Sequence, residues 1–192
     1  PRLETGMHTA PIRRIATDAA GRWAVTGSDD KTARVWEVAT GRQVSVLRPP
    51  QDVGFVGKLH AAALSPDGAV VAVAGWTKLG SETGNTIYLF DRTSGRLLGR
   101  LTGLESTILH LAYSPDGRWL AAMLGGKNGV RVFDAENDRE TGRDSDYGDR
   151  SQSAHFSPDS RYLLTTSYDG QLRRYALQEG KLTVPLRAPT AG

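Results

Sequence analysis

At 192 residues with 39% apolar content, the chain is long enough for one domain of ordinary size with a substantial core. Its 24 basic and 21 acidic residues leave a net charge of +3, and the basic residues are spread along the chain, which argues against a dedicated nucleic-acid face. The absence of cysteine excludes disulfides, thiolate zinc sites and cysteine nucleophiles together, and the longest apolar run, 69–76, is far too short to cross a bilayer.

Residues 2–5 read as an outer strand, followed by Gly6-Met7-His8. Asp18-Ala19-Ala20-Gly21 is then the first, degenerate form of a turn that returns as Ser65-Pro66-Asp67-Gly68, Ser114-Pro115-Asp116-Gly117 and Ser157-Pro158-Asp159-Ser160. Proline presets φ at the second turn position, aspartate suits the third, and glycine closes. Gly21, Gly68, Gly117 and Ser160 are spaced 47, 49 and 43 residues apart. Residues 108–141 show the whole unit: an apolar innermost strand over 108–113, the turn, a buried strand over 119–124, a reversal at 125–129, an alternating strand over 130–134, and a polar outer strand near 140–145. Third strands recur at 32–37, 86–91 and 171–176, each with an aromatic at the equivalent place: Trp36, Phe90, Phe133, Tyr175. Turns at Thr40-Gly41-Arg42, Ser94-Gly95-Arg96 and Glu179-Gly180-Lys181 lead to outer strands such as 43–47 and 97–101.

A period of this length with several short strands per unit predicts an all-β fold, a β-propeller of four-stranded antiparallel blades. Four blades are expected, over about 8–48, 54–103, 104–148 and 149–187. One such sheet cannot hide both faces alone; stacking against like units does so, with the fixed aromatics filling the contacts. Such an array offers surface and shape, so its function is expected in binding.

These residues resemble the WD-repeat (WD40-type) family of β-propellers. Ser28-Asp29-Asp30-Lys31-Thr32-Ala33-Arg34-Val35-Trp36-Glu37 is nearly the family's second turn and third strand, with Glu where the final Asp belongs, and Gly6-Met7-His8 stands where its Gly-His pair would be. The resemblance implies a structural tetrad of His8, Ser28, Asp30 and Trp36, with His8 bonded to Ser28 or Asp30 and Ser28 reaching Trp36. The fourth copy keeps Ser167, Asp169 and Tyr175 without the His. It also implies partner docking on the rim of second-to-third-strand turns and innermost-strand entries, where Arg13, Asp29, Lys31, His60, Lys78, Lys127 and Tyr168 are the candidates. Family rings usually hold more blades than four, and the chain opens on Pro1, so a portion of a larger propeller is expected, with self-association of its uncovered end faces. The high share of arginine suggests a bacterial member, and a cytoplasmic location is expected. A TolB-like periplasmic propeller, which shares the Ser-Pro-Asp-Gly turns but lacks the signature at 28–37, is the alternative family.

The chemistry points away from catalysis. His8, His60, His110 and His155 lack metal-ligand spacing, and His60 and His110 sit on innermost strands facing a central channel. No Gly-x-Ser-x-Gly elbow is present, which disfavours a hydrolase. In the charge-dense segment 134–150, Asp134-x-Glu136-x-Asp138 starts like a calcium loop, but Arg139 occupies the place of the sharp-turn glycine. The insertion at 77–85 lengthens a turn on the rim. The expectation is a non-enzymatic protein-protein interaction scaffold or sensing module within a larger chain, with a protein or peptide partner and neither cofactor nor metal. A propeller hydrolase or lyase with a channel site is the rival.

Overall fold

The computed structural model describes residues 6–178, 181–183 and 185–188. The strand expected at 2–5 and the turn residues Glu179 and Gly180 lie outside them. The described residues form no helix and four antiparallel sheets. The first sheet comprises β1 (Ile12–Thr17), β2 (Trp23–Ser28), β3 (Ala33–Glu37) and β4 (Arg42–Leu47); the second β5 (Leu59–Leu64), β6 (Val70–Gly75), β7 (Asn85–Asp91) and β8 (Leu97–Leu104). The third comprises β9 (Ile108–Tyr113), β10 (Trp119–Leu124), β11 (Val130–Asp134) and β12 (Glu140–Asp144). In the fourth, β13 (Ser151–Phe156), β14 (Tyr162–Ser167) and β15 (Leu172–Gln178) pair in order, and two short strands, β16 (Lys181–Leu182) and β17 (Leu186–Arg187), share the outer edge of β15. Each sheet is a simple meander, and the innermost strands β1, β5, β9 and β13 contact one another in sequence. These are four blades of a propeller, each stacked on the next.

The Ser-Pro-Asp-Gly turns explain the hairpins that begin each blade. Gly68 and Gly117 hold φ of +74° and +75°, a region any side chain would strain. Each serine accepts an N–H beyond the turn, Val70 to Ser65 at 2.9 Å and Trp119 to Ser114 at 2.9 Å, while donating to its own aspartate. In the first turn, Asp18 does the same work, its Oδ1 accepting the N–H groups of Arg22 and Trp23. Ser160 also adopts positive φ, +59°, and its hydroxyl accepts the Asp116 N–H of the preceding turn at 3.0 Å. That bond between turns accounts for a side chain where the other copies use glycine.

Three apolar clusters fill the three junctions. Val25 and Val35 of the first blade meet Leu59, Val73 and Phe90 of the second. Ile87 and Leu89 of the second meet Ile108, Leu120 and Phe133 of the third. Met123 and Val132 of the third meet Ala154, Leu163 and Tyr175 of the fourth. Phe90, Phe133 and Tyr175 thus fill junctions from the same place in each blade. Among the described residues no such cluster joins the fourth blade to the first, and Ile15, Leu172 and Leu186 stand exposed on the two end blades.

Candidate functional site

The first blade is locked by a buried polar chain. The His8 side chain is only 3% exposed; its Nδ1 lies 2.8 Å from Asp30 Oδ2 and its Nε2 2.8 Å from Thr26 Oγ1. The Trp36 indole N–H donates to the same Thr26 hydroxyl at 2.8 Å. Asp30 accepts only, and the indole donates only, and a chain that satisfies every member runs from Trp36 to Thr26, from Thr26 to His8 Nε2, and from His8 Nδ1–H to Asp30, with the Arg34 carbonyl at 3.4 Å as a second acceptor for the Thr26 hydroxyl. The hydroxyl expected at Ser28 is therefore supplied by Thr26. Ser28 instead donates to the Ala10 carbonyl at 3.0 Å and accepts the Asp30 N–H at 3.1 Å, so it shapes the turn and does not reach Trp36. Burial, opposed by hydrogen bonds from Thr32, His8 and the Thr9 N–H, leaves Asp30 below the usual carboxylate range.

The same position recurs in the fourth blade. Thr165, like Thr26 two residues ahead of the serine, bonds the Tyr147 hydroxyl at 2.6 Å; Tyr147 in turn lies 3.0 Å from the Tyr175 hydroxyl, which donates to Asp144 at 2.8 Å. Asp169 turns instead to the buried Arg173 at 2.6 Å, and that guanidinium holds it far below the usual carboxylate range. Arg173 also stacks 4.1 Å from the Tyr147 ring centroid. Tyr147 takes the place the missing histidine would fill.

The rim builds outward from these locked turns. Asp29, beside Asp30, accepts both Arg13 Nε at 3.0 Å and Arg13 Nη2 at 2.6 Å, and lies 3.7 Å from Lys58 Nζ and 3.6 Å from His60 Nε2. The Arg13 hydrogen bonds hold Asp29 below its ordinary value; burial lowers His60, with Asp29 opposing. A depression of about 360 Å³ opens at the channel mouth, and all four blades contribute: Arg13 and Arg14 from β1, His60 from β5, Leu109 from β9, and Arg150, Gln152 and Tyr168 from the fourth blade. Arg14 reaches across to the Leu109 carbonyl at 3.1 Å while its Nε has no hydrogen-bond partner among the described residues, and burial lowers its pKa. Arg150 stacks 4.6 Å from the ring centroid of Tyr168, which is 57% exposed. Among the described residues no carboxylate lines the depression. Beneath it, His110 accepts the Ala154 N–H on Nδ1 at 3.1 Å, and burial, with Arg14 and His155 nearby, pushes it down to about 4.

Of the rim residues expected from sequence, Arg13, His60 and Tyr168 meet in this depression, and Asp29 orients two of them. Lys31 donates to the Asp52 carbonyl at 2.6 Å and pins the loop between the first and second blades. Lys78 and Lys127 are exposed on their own turns and do not line the depression. In the insertion, Asn85 Oδ1 accepts the N–H groups of Thr77 and Lys78, so the long turn is closed by its own base. Among the described residues no group of three or more His, Asp or Glu is placed to hold a metal ion.

A profile of the WD40 family (WD domain, G-beta repeat) matches residues 3–37, 95–134 and 150–175, just over half of the chain. The chain belongs to the WD40 family. It is similar to the protein LST8 homolog of Drosophila melanogaster, 28% identical over 170 residues, which cover 83% of this chain and 49% of that protein. It is similar also to the ribosome biogenesis protein BOP1 homolog of Monosiga brevicollis, 43% identical over 74 residues, 38% of this chain and 9% of that protein. The ribosome biogenesis protein ERB1 of Candida glabrata is 36% identical over 90 residues, 43% and 10% of the two chains. The match thus spans about half of the LST8 relative and about a tenth of the other two. These relatives are eukaryotic.

Sequence reasoning missed Arg14, Lys58, Arg150 and Gln152 at the rim and Thr26, Thr165 and Tyr147 in the locks. One signal was available for the threonines. Strand alternation places Thr26 on the same face of the first WD40 blade as Arg34, its register partner, and Trp36, whereas Ser28 ends the strand.

Proposed function

We propose that this WD40 array is a non-enzymatic interaction module that receives an acidic segment of a partner protein at the channel mouth. The observation that carries the reading is the depression built from all four blades, where Arg14, Arg150 and His60 gather beside an exposed tyrosine and Asp29, paired with His60, is already held by Arg13. An arginine fork binds carboxylates bidentately, and an exposed aromatic beside it supplies the amphipathic anchor common at interfaces. WD40 repeats serve generally as protein-interaction scaffolds, which agrees with this reading. The exposed apolar residues of the end blades support a further element, that the arc is covered by additional blades, here those of a second copy.

The test is an array of short peptides, acidic, neutral and basic, probed with the purified chain and with Arg150→Glu and Tyr168→Ala variants. Both residues are exposed, so folding is preserved. Acidic peptides should be retained by the parent and lost by both variants. Equal retention of neutral and acidic peptides, or retention unchanged in Arg150→Glu, would refute the reading.

A further inference from the structure

The turn face opposite the rim carries a second concavity of different chemistry. A cavity of about 440 Å³ opens between the second and third blades, within the size range of ligand pockets. Its floor is apolar, with Leu89, Leu101, Leu120 and Phe133 buried and Leu98 exposed at the lip. Asp67 and Asp116 come from two Ser-Pro-Asp-Gly turns, Asp134 from the end of β11, and Glu136 and Asp138 from the turn that follows it. No lysine or arginine lines the cavity, and none of these five carboxylates is in an ion pair among the described residues.

Two details show that the cavity is built. Asp138 holds a φ of +61° and leans onto Gly99 of β8, where a Cβ would come within 3.0 Å of its Oδ2. Glycine in the outer strand of one blade thus makes room for a carboxylate from the next. Tyr113 packs against the core of this junction and lines the cavity, yet its hydroxyl has no hydrogen-bond partner among the described residues. Burial, with Asp138 and Asp67 nearby, pushes that phenol well above its ordinary value, and burial beside Asp134 raises Asp138. Asp67 is held below its ordinary value by hydrogen bonds from the Ser65 hydroxyl and the Ala69 N–H, and among the described residues no lysine or arginine lines the cavity to neutralise its carboxylates.

We propose that this cleft is a second binding site and takes an arginine side chain of a partner protein, its guanidinium among Asp67, Asp134 and Asp138 and its stem on Leu98, Leu101 and Phe133. Charge complementarity selects a cation, and the apolar floor selects one on an aliphatic stem. Arginine is preferred over lysine because its weakly hydrated plane stacks on aromatic rings and forks two carboxylates at once. The acidic segment received at the rim and the basic side chain received here are independent.

The experiment is an NMR titration of the whole chain with acetyl-Leu-Arg-Leu-amide, its lysine counterpart and its glutamine counterpart. The arginine peptide should shift the amides of 98–101, 113 and 133–138 saturably, and the glutamine peptide should bind at least about tenfold more weakly, with lysine between. Asp134→Asn combined with Asp138→Asn should weaken the arginine peptide at least about tenfold; asparagine tolerates positive φ and keeps the turn's acceptor. Leu98→Lys, an exposed change that supplies an internal cation, should abolish binding. Equal binding of arginine and glutamine peptides, parent-like affinity in either variant, shifts confined to the channel mouth, or no saturation up to about 10 mM each overturn the proposal.

Discussion

Replacing Thr26 by valine keeps the shape of the side chain and removes the hydroxyl on which the first blade's lock turns. Trp36 loses its acceptor at 2.8 Å and His8 Nε2 its partner at 2.8 Å. Thr26 is 6% exposed, so water cannot readily replace what is lost. A stranded buried polar group costs roughly 1–3 kcal/mol, and because Trp36 is only half-buried we expect about 2–4 kcal/mol for the pair. For a domain of this size each kcal/mol moves the melting point by about 2–4 °C, so a fall of about 5–15 °C is expected. Ser28→Ala is the informative comparison. It also removes a buried hydroxyl and destabilises, but it leaves the Trp36 bond intact. The indole N–H resonance of Trp36 and its exchange rate should therefore change in Thr26→Val and stay in place in Ser28→Ala. A Thr26→Val melting curve within about 1 °C of the parent, or an indole resonance that moves only with Ser28, would refute the assignment.

Three further outcomes are expected. Burial lowers His110 from 6.5 to about 4, so the unfolded chain takes up this proton first as the pH falls; its contribution is complete above about pH 6.5 and lost progressively toward pH 4, on the order of 2–3 kcal/mol. Thermal melts across that window should show the decline, with His60 adding in the same direction, and His110→Gln should flatten it; a pH-independent melting point there would contradict this. Gly117→Ala should cost about 1 kcal/mol from backbone strain alone, since the nearest side-chain atom to an added Cβ is Pro66 Cδ at 3.7 Å; denaturant melts that coincide with the parent would remove the strain argument. Light scattering should find self-association at micromolar concentrations through the exposed end faces, whereas a stable monomer would separate the arc from that role.

The repeat was legible because turn chemistry and strand alternation are local. Proline, aspartate and glycine at fixed offsets mark the hairpins, and β9, β10 and β11 run where the apolar and alternating segments predict. The locks were less legible because a hydrogen-bond partner depends on which face of the strand a hydroxyl occupies. Thr26 and Ser28 share a face by simple alternation, and only the end of β2 at Ser28 separates them. Buried arginines were invisible for a different reason. Arg131 is 3% exposed, and its Nη2 donates to both carboxylate oxygens of Glu105, from the entry to its own blade, at 3.0 Å, a pairing that no spacing announces. The rim depression likewise needs four blades in place before Arg14, His60, Leu109 and Arg150 share one opening.

The most direct test of the interaction account is a hydrogen-exchange footprint of the whole chain with the best acidic peptide from the array. Protection is predicted at residues 13–14, 58–60, 150–152 and 168, where the channel mouth gathers its cations and Tyr168. A footprint confined to the end blades, or none at saturating peptide, would contradict the claim that this opening receives the partner.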